Sequence, residues 1–256
     1  MSIQNYLARY VSGLKKLNGG EMVVFEKLEK RLILSGTLEA VTPLHIGSGK
    51  TDIEIGEVDM PILRAPDGEP YVPGSSLKGK TRAEAERIAK ARGHFICTPP
   101  NVQNMCGTLK RSPEEFCIVC KIFGTAGAIS VSSKVRFRDA YPIKPVESLL
   151  ERTGTAIDRS TGTVSRGALY TVEAIPAGTS FNLEVVAENL TAEELKLFKA
   201  ALKSVEDSAV GGSSSRGFGK VKINFTKLIE RTPRFYLGEE EQRIVEGENI
   251  KKWWSE

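Results

Sequence analysis

An α+β fold is predicted by two periodicities that follow one another along the 256-residue chain. From Lys30 onward apolar residues recur at every second position, which indicates a first strand over about 31–41. A helical apolar stripe follows over about 75–92, where Ser75 or Ser76 can cap the first turn. The domain is therefore expected to begin with a strand and a helix joined by a long loop.

The second half of the chain continues the alternation. Strands are expected near 132–139, 180–187 and 221–225, and a capping box from Thr191 to Glu194 starts a second helix before the last strand. The resulting order is strand, helix, strand, strand, helix, strand. This is the order of the ferredoxin-like (RRM-like) βαββαβ unit, which many RNA-binding modules share with proteins of other function.

Residues 30–230 are interpreted as one domain, with an appendage at 1–29 and a tail at 231–256. An apolar stripe over 2–17 predicts an amphipathic helix that docks on the domain or on another subunit, in preference to a membrane surface. The βαββαβ unit leaves three insertions, each long enough to carry function. They are the loop 42–74, a cysteine-bearing segment 93–130 and a segment 140–178.

Composition narrows the possible functions only slightly. Lys and Arg number 36 against 32 Asp and Glu, a net charge of +4 that permits a nucleic-acid partner without requiring one. No secretory signal or apolar run near 18 residues is recognised, so a cytoplasmic protein without a membrane partner is expected. In that compartment the four cysteines are expected to be metal ligands or buried thiols and not disulfides.

The cysteines have a spacing typical of a metal site. Cys97, Cys106, Cys117 and Cys120 follow the pattern C-x8-C-x10-C-x2-C, and His94 precedes the first by three residues. A C-x2-C pair can supply two ligands to zinc from one turn, and the surrounding loop residues offer little core of their own. A structural zinc ion is predicted, with His94 as a possible alternative ligand. The competing interpretation is four reduced thiols packed as small apolar side chains.

The third insertion predicts a projecting hairpin, because Thr161-Gly162 forms a turn between two short runs that carry Arg159 and Arg166. A solvated surface loop is the alternative. Its apolar residues, among them Leu169, would be costly to expose unless a partner covers them, which favours a contact arm.

Basic residues elsewhere suggest contacts to a polyanion. Lys78 and Arg82 lie four apart on the first helix, and Arg136 belongs to a strand whose outer face is expected to be strongly basic. The loop 211–220 is rich in glycine and carries Arg216, yet it lacks the lysine and the strand-to-helix context of a P-loop. It can still bind a phosphate through backbone N–H groups, or act merely as a flexible connector.

The first insertion combines His45 with several carboxylates. On residue chemistry alone, Asp52, Glu57 and Asp59 are equal candidates for a divalent cation. His45 has a competing interpretation as a general base in metal-free RNA cleavage, although a structural or RNA-contacting role is favoured.

Four stretches together resemble a known family. They are LHIGSG, EVDMPILRAPDGEPYVPGSSLKGKTR, IDRSTGTVSRGALYTVE and GGSSSRGFGKV, and they occur in this order. The chain is similar over about 30–226 to the RAMP superfamily, most closely to the Csm-type backbone subunits of type III CRISPR effector complexes. The glycine-rich stretch near the C-terminus is the superfamily's signature.

The resemblance implies a subunit that forms a filament of its own copies along a CRISPR guide RNA, beside other subunits of the effector complex. The hairpin, about 151–172, would act as a thumb that kinks the duplex of guide and target RNA at regular intervals. In this family the aspartate that matches Asp59 is needed for metal-dependent cleavage of target RNA, with Mg²⁺ or a similar ion. Asp59 is therefore the candidate catalytic residue.

The resemblance also assigns guide contacts. The matching positions are His45, Ser75, Ser76, Lys78, Lys80 and Arg82. To these the basic residues Arg136, Arg159, Arg166 and Arg216 are added as RNA-binding candidates. Two alternatives remain open at this stage: a scaffold subunit that binds guide RNA without cutting, and a metal-independent RNA-processing endoribonuclease.

Overall fold

The computed structural model describes residues 27–49 and 58–255. The predicted helix at 2–17 lies outside them. Seven strands are found in the described part of the chain: β1 (Arg31–Ala40), β2 (Val135–Phe137), β3 (Leu150–Ile157), β4 (Val164–Ala174), β5 (Ser180–Glu188), β6 (Val221–Arg231) and β7 (Arg243–Glu246). The α-helices there are α1 (Gly74–Ala91), α2 (Cys106–Leu109), α3 (Ile118–Phe123), α4 (Ala192–Asp207), α5 (Pro233–Tyr236) and α6 (Glu248–Ser255).

The main sheet has five strands in the order β2-β5-β1-β6-β7, and every neighbouring pair is antiparallel. β1 is the central strand because it pairs with β5 on one side and β6 on the other. β3 and β4 form a separate two-stranded antiparallel hairpin. The predicted α+β class is confirmed, with antiparallel sheets.

The core forms where α1 and α4 pack on one face of the sheet. The alternating residues Leu32, Leu34 and Leu38 of β1 are buried there, as the period-two pattern predicts. Phe198 of α4 is fully buried, with its ring 6.3 Å from that of Phe123 and 6.1 Å from that of Phe137. These contacts join α4 to both the cysteine-bearing segment and β2.

The capping box predicted for α4 is present, with the Thr191 hydroxyl accepting from the Glu194 N–H. The serine cap predicted for α1 is wrong. That helix begins at Gly74, after Pro73, and the Gly74 N–H donates to Asp139 Oδ1 at 2.8 Å. A Cβ at Gly74 would stand 2.2 Å from the Phe137 carbonyl oxygen, so the helix start is set by its close approach to β2.

The basic outer face predicted for the second strand exposes Arg136 and Arg138, but its charges are paired. Lys134, Arg136 and Arg138 each form an ion pair with a glutamate. Their partners are Glu194 at 3.0 Å, Glu188 at 2.7 Å and Glu184 at 3.5 Å. Two of these acids come from the adjacent strand β5, a pairing that the local sequence does not reveal.

The segment interpreted as a tail contains ordered elements. β7 adds a strand to the edge of the sheet beside β6, and α6 buries Ile250. The Trp254 ring packs edge-on against Phe225 of β6, with ring centres 5.0 Å apart. Among the residues that the structure covers, no helix combines the length and apolarity needed to cross a bilayer.

A bulge in the central strand pair generates a stability prediction. The register between β1 and β6 shifts between Ser35 and Gly36, and a Cβ at Gly36 would lie 2.1 Å from the Asn224 carbonyl oxygen. We expect Gly36→Ala to lower the free energy of unfolding by about 2 kcal/mol, because backbone must move to admit the methyl group. Urea denaturation measures this change.

Gly79→Ala on α1 is the matched control, since a Cβ at Gly79 meets nothing within 4 Å. This variant should be neutral or more stable by up to about 1 kcal/mol, because alanine favours a helix over glycine. Equal effects of the two substitutions would contradict the close packing of β1 against β6.

Candidate RNA-binding surfaces and metal site

Asp59 lies at the base of the β3–β4 hairpin. Its Oδ2 accepts a hydrogen bond from the Thr171 N–H at 2.6 Å, and the residue is exposed. The neighbouring Met60 bonds to the same strand through both of its main-chain groups, to Thr171 O and Glu173 N, each at 3.1 Å. The segment that carries Asp59 therefore follows β4. Its sequence competitors Asp52 and Glu57 lie outside the described residues.

Glu173, which the sequence reasoning missed, holds the segment after Asp59 against the hairpin through its side chain. The side chain is buried, its Oε2 accepts from the Ile62 N–H at 3.0 Å, and its Oε1 forms an ion pair with Arg64. No local pattern identifies such a residue, because its partners are more than one hundred positions away along the chain. Glu173 thus ties the hairpin to the loop before α1.

His45 joins the hairpin to the glycine-rich loop 211–220. Its ring is 4% exposed, and its Nδ1 lies 2.7 Å from the Glu173 carbonyl oxygen. The His45 carbonyl oxygen accepts from the Gly212 N–H at 2.8 Å. A Cβ at Gly211 would stand 2.2 Å from that same oxygen, and Gly211 has φ +82°, so glycine is required there. This burial favours a structural role for His45.

The glycine-rich loop also packs on the hairpin through arginines and aromatic rings. The Arg216 guanidinium lies 5.1 Å from the centre of the Tyr170 ring, and that of Arg152 lies 5.2 Å from the centre of the Phe218 ring. Such cation–π contacts hold a cation at a surface without neutralising its charge. Arg216 is exposed, so its charge remains available beside the hairpin.

A second cationic cluster forms where α1 meets β2. Burial lowers the pKa of Lys78, and the nearby positive charges of Arg82 and Arg136 lower it further. The pKa of Arg136 is raised by its hydrogen bond to Glu188, so part of its charge is already neutralised by a carboxylate. The positive charges of the Lys78–Arg82–Arg136 cluster repel one another, and binding of an anionic partner would reduce this repulsion.

Lys80 is not part of this cluster. It forms a 2.9 Å ion pair with the buried Glu84, which also accepts a hydrogen bond from the Ser204 hydroxyl of α4 at 2.8 Å. Ser75 is exposed and Ser76 half-buried at the start of α1. Arg159 is exposed in the turn between β3 and β4, and Arg166 belongs to β4.

The four cysteines converge on one point, as their spacing predicts. Their sulfur atoms all lie within 4.8 Å of one another and all four residues are buried. Four ligands at the usual Zn–S distance of about 2.3 Å form a tetrahedron with edges of roughly 3.8 Å, so the cluster fits a tetrahedral thiolate site. His94 is exposed and does not belong to the group.

Without a metal, the pKa of Cys117 is lowered, whereas the pKa values of Cys106 and Cys120 are raised. Hydrogen bonding from Cys120 lowers the pKa of Cys117 to about 4, whereas burial raises the pKa of Cys106 to about 11. The Cys117 N–H donates to Cys106 Sγ at 3.3 Å, which helps to orient that sulfur. A cation at the centre would hold the remaining thiols as thiolates.

The cost of the cationic cluster can be measured in the absence of RNA. We expect Lys78→Gln to raise the melting temperature by a few degrees at pH 7, because a lowered lysine pKa means that folding disfavours the charged form. The difference between variant and parent should shrink as the pH rises above the folded-state pKa of Lys78 and vanish only above the unfolded-state pKa of about 10.5, where the lysine is neutral in both states. Calorimetric scans at several pH values test this. A variant that is less stable at pH 7 would contradict the assigned repulsion.

Comparison with known proteins places these features in a family. The model for the RAMP superfamily matches residues 37–222. The CRISPR system Cms endoribonuclease Csm3 of Methanocaldococcus jannaschii is 34% identical over 232 residues, which cover 84% of this chain and 88% of the relative. The protein of the same name from Methanothermobacter thermautotrophicus is 29% identical over 239 residues, covering 83% and 91%.

Solved structures give the same relationship. A chain in the crystal structure of a Csm3–Csm4 subcomplex in the type III-A CRISPR-Cas interference complex is 29% identical, with a TM-score of 0.56 over 90% of this chain and 96% of that one. The crystal structure of Methanopyrus kandleri Csm3, 22% identical, shares the fold with a TM-score of 0.59 over the same shares. The protein therefore belongs to the RAMP superfamily and, within it, to the Csm-type backbone subunits of type III CRISPR complexes.

Proposed function

We propose that this protein binds CRISPR guide RNA as a backbone subunit of a cytoplasmic type III complex and cuts the paired target RNA in a metal-dependent reaction. The observation that carries the proposal is the position of Asp59, an exposed carboxylate fastened by main-chain hydrogen bonds to the base of a projecting hairpin. The relatives that match most of the chain are named as endoribonucleases, which supports the cutting activity.

The proposed scaffold is a ferredoxin-like core. Its support is the sheet order β2-β5-β1-β6 with α1 and α4 on one face, which is the arrangement of a βαββαβ unit. The insertions 42–74, 93–130 and 140–178 then carry the acid-bearing loop, the cysteine cluster and the hairpin. In this proposal the hairpin acts as a thumb on the guide–target duplex.

The guide RNA would be held mainly through its phosphates. The Lys78–Arg82–Arg136 cluster and Arg216 supply charge from different elements, Arg159 adds an exposed charge at the turn of the hairpin, and Arg166 of β4 is a further candidate. Contacts to phosphate are independent of sequence and weaken with salt, which suits a subunit that must bind any guide. Ser75 and Ser76 at the start of α1 can add hydroxyl donors, whereas Lys80 is expected to stabilise the helix through Glu84.

The proposed cleavage uses the 2′-hydroxyl of the target nucleotide at the kink. A base removes the proton of that hydroxyl, and its oxygen forms a new bond to phosphorus while the bond from phosphorus to the 5′-oxygen breaks. The departing oxygen takes a proton from water, which leaves a cyclic phosphate and a 5′-hydroxyl product. Bound Mg²⁺ would supply a Lewis acid and a hydrated base near the phosphate. Asp59 is oriented for such an ion, because Oδ2 is fixed by the Thr171 N–H and Oδ1 has no hydrogen-bond partner among the described residues.

Contacts with other copies and other subunits would involve the exposed apolar side chains of the hairpin. Ile157, Val164 and Leu169 are 65%, 56% and 67% exposed. Apolar residues this open on a projecting element favour a partner that covers them. A filament of copies along the guide, joined to further subunits and the target RNA, provides such a partner.

The cleavage proposal is tested by Asp59→Ala. We expect the assembled complex to lose at least 100-fold in the rate of target cleavage, the order of effect of removing one metal-organising group, while guide affinity stays within about twofold. Asp67→Ala is the matched control, because Asp67 lies in an exposed turn of the same loop and bonds only locally, to the Glu69 N–H at 3.1 Å. It should cut at the parental rate.

Chelation separates this function from its competitors. EDTA should abolish cleavage by the parent complex without releasing the bound guide RNA. Cutting that survives EDTA would instead indicate a metal-independent nuclease, and a complex that binds but never cuts would indicate a scaffold subunit. Unchanged cutting by Asp59→Ala would refute the assignment of that residue.

We further propose that the cysteine cluster holds a structural zinc ion through Cys97, Cys106, Cys117 and Cys120. Four thiolates leave no open coordination position, so the ion would stabilise the segment and take no part in cleavage. Elemental analysis should find about one zinc per chain. Cys97→Ser should lose most of it and melt at a lower temperature, whereas His94→Ala should keep it, and a zinc-free native preparation would remove the proposal.

A further inference from the structure

Arg82 connects the cationic cluster to the cysteine cluster. Its Nη2 lies 3.7 Å from Cys120 Sγ, its Nη1 donates to the Gly124 carbonyl oxygen at 3.1 Å, and its Nε donates to Glu86 Oε1 at 3.1 Å. A guanidinium carries five N–H donors, so these three bonds leave two for another ligand. The same positive charge also lowers the pKa of Lys78.

Two of the three partners of Arg82 belong to one short element. Cys120 lies within α3, and Gly124 is the residue that ends that helix. Cys117 is the residue before α3, so the same six-residue helix is anchored by two members of the cysteine cluster. A helix this short is unstable alone and needs a tertiary anchor. An ion bound to Cys117 and Cys120 would provide it.

The metal would therefore fix the position of α3, which carries two of the groups that bind the Arg82 guanidinium. Without the ion, Cys117 and Cys120 are no longer bound to a shared metal at the start of α3. Arg82 then loses the thiolate of Cys120 as an acceptor, and the Gly124 carbonyl is no longer held in place. Only the bond to Glu86 is independent of α3, since Glu86 lies one turn along the same helix as Arg82. An arginine with a mobile side chain binds phosphate less tightly than one already oriented for it.

We propose that Arg82 is a positioning residue that couples the two clusters, so that occupancy of the cysteine site sets the affinity of the cationic cluster for RNA. This inference rests on the proposed RNA-binding function and on the proposed metal site, and it adds an energetic link between them. Coupling of this kind is reciprocal: if the metal strengthens RNA binding through Arg82, then Arg82 strengthens metal binding. Groups that orient metal ligands typically change affinity by about tenfold or more.

The test compares Arg82→Gln with Lys78→Gln in the full-length chain. Both substitutions remove one positive charge from the same cluster, but the hydrogen bonds to Cys120 and Gly124 come from Arg82, and no hydrogen bond or ion pair joins Lys78 to α3 among the described residues. Zinc affinity is measured by competition with a chromophoric chelator. We expect it to fall about tenfold in Arg82→Gln and by less than about twofold in Lys78→Gln. Equal zinc affinities in the two variants would overturn the proposal.

The second arm measures the affinity for a short fluorescent single-stranded RNA, by anisotropy, before and after removal of zinc. Metal removal should weaken binding about tenfold in the parent and in Lys78→Gln, but by less than about twofold in Arg82→Gln, where the link is already broken. Circular dichroism establishes that the metal-free chains remain folded. If the metal-free chains unfold, the coupling is tested by the zinc-affinity comparison alone, because that comparison starts from zinc-loaded protein.

The two proposals fail in different ways. A zinc-loaded parent that does not bind RNA refutes the RNA-binding function itself. If the parent binds RNA, two results refute the coupling through Arg82 and leave the RNA-binding function standing. In the first, metal removal weakens RNA binding equally in the parent, in Lys78→Gln and in Arg82→Gln. In the second, metal removal weakens RNA binding in none of them.

Discussion

The pairing of Met60 with strand β4 is the interaction on which the candidate site depends. Without it, the main chain beside Asp59 would lose its direct attachment to β4, and the loop would be tied to the hairpin through the Glu173 carboxylate at Ile62 and Arg64. Two main-chain hydrogen bonds at 3.1 Å attach the loop to the hairpin at Met60, the buried carboxylate of Glu173 holds it two residues further on at Ile62, and Asp59 comes to lie at the hairpin's base. Each bond is ordinary in strength, and together they restrict the carboxylate to one place.

The same region shows why the glycine-rich loop has its composition. Gly211 must approach the His45 carbonyl oxygen closely, and Gly212 donates to that oxygen. His45 in turn contacts Glu173, so the loop, the hairpin and the acid-bearing segment meet around one buried ring. The arrangement explains how residues separated by more than 150 positions in sequence, Asp59 and Arg216, come to border the same hairpin through Thr171 and Tyr170.

Local patterns predicted much of the fold and less of the site. Periodicity located β1, α1, β5 and α4 to within one or two residues, because burial on one face imposes a regular spacing. The cysteines were also predictable, since their chemistry restricts what they can do together. Glu173, Asp139 and α6 were missed because their roles come from partners far away in sequence. The resemblance, not the spacing, distinguished Asp59 from its acidic neighbours.

Charge pairing divides the basic residues into two groups. Lys80, Lys134 and Arg138 face glutamates and stabilise the fold, whereas Lys78 and Arg216 have no carboxylate partner among the described residues. The glutamates that pair with Lys134 and Arg138 lie on other elements, so the sequence does not reveal those two pairs, whereas Lys80 and Glu84 form an i,i+4 pair on α1 that helical spacing indicates. In the Lys78–Arg82–Arg136 cluster, Arg82 and Arg136 are paired with Glu86 and Glu188, and the lowered pKa of the unpaired Lys78 means that folding disfavours its charged form.

The most direct test of the account is photo-crosslinking of the assembled complex to guide and target RNAs that contain 4-thiouridine, followed by mass spectrometry of the linked peptides. The account predicts crosslinks to the segment around Met60, to Tyr170 of the hairpin and to the first turns of α1. Crosslinks confined to the C-terminal elements at 233–255, or none at all in a complex that still cuts RNA, would contradict the proposal that RNA lies beside Asp59.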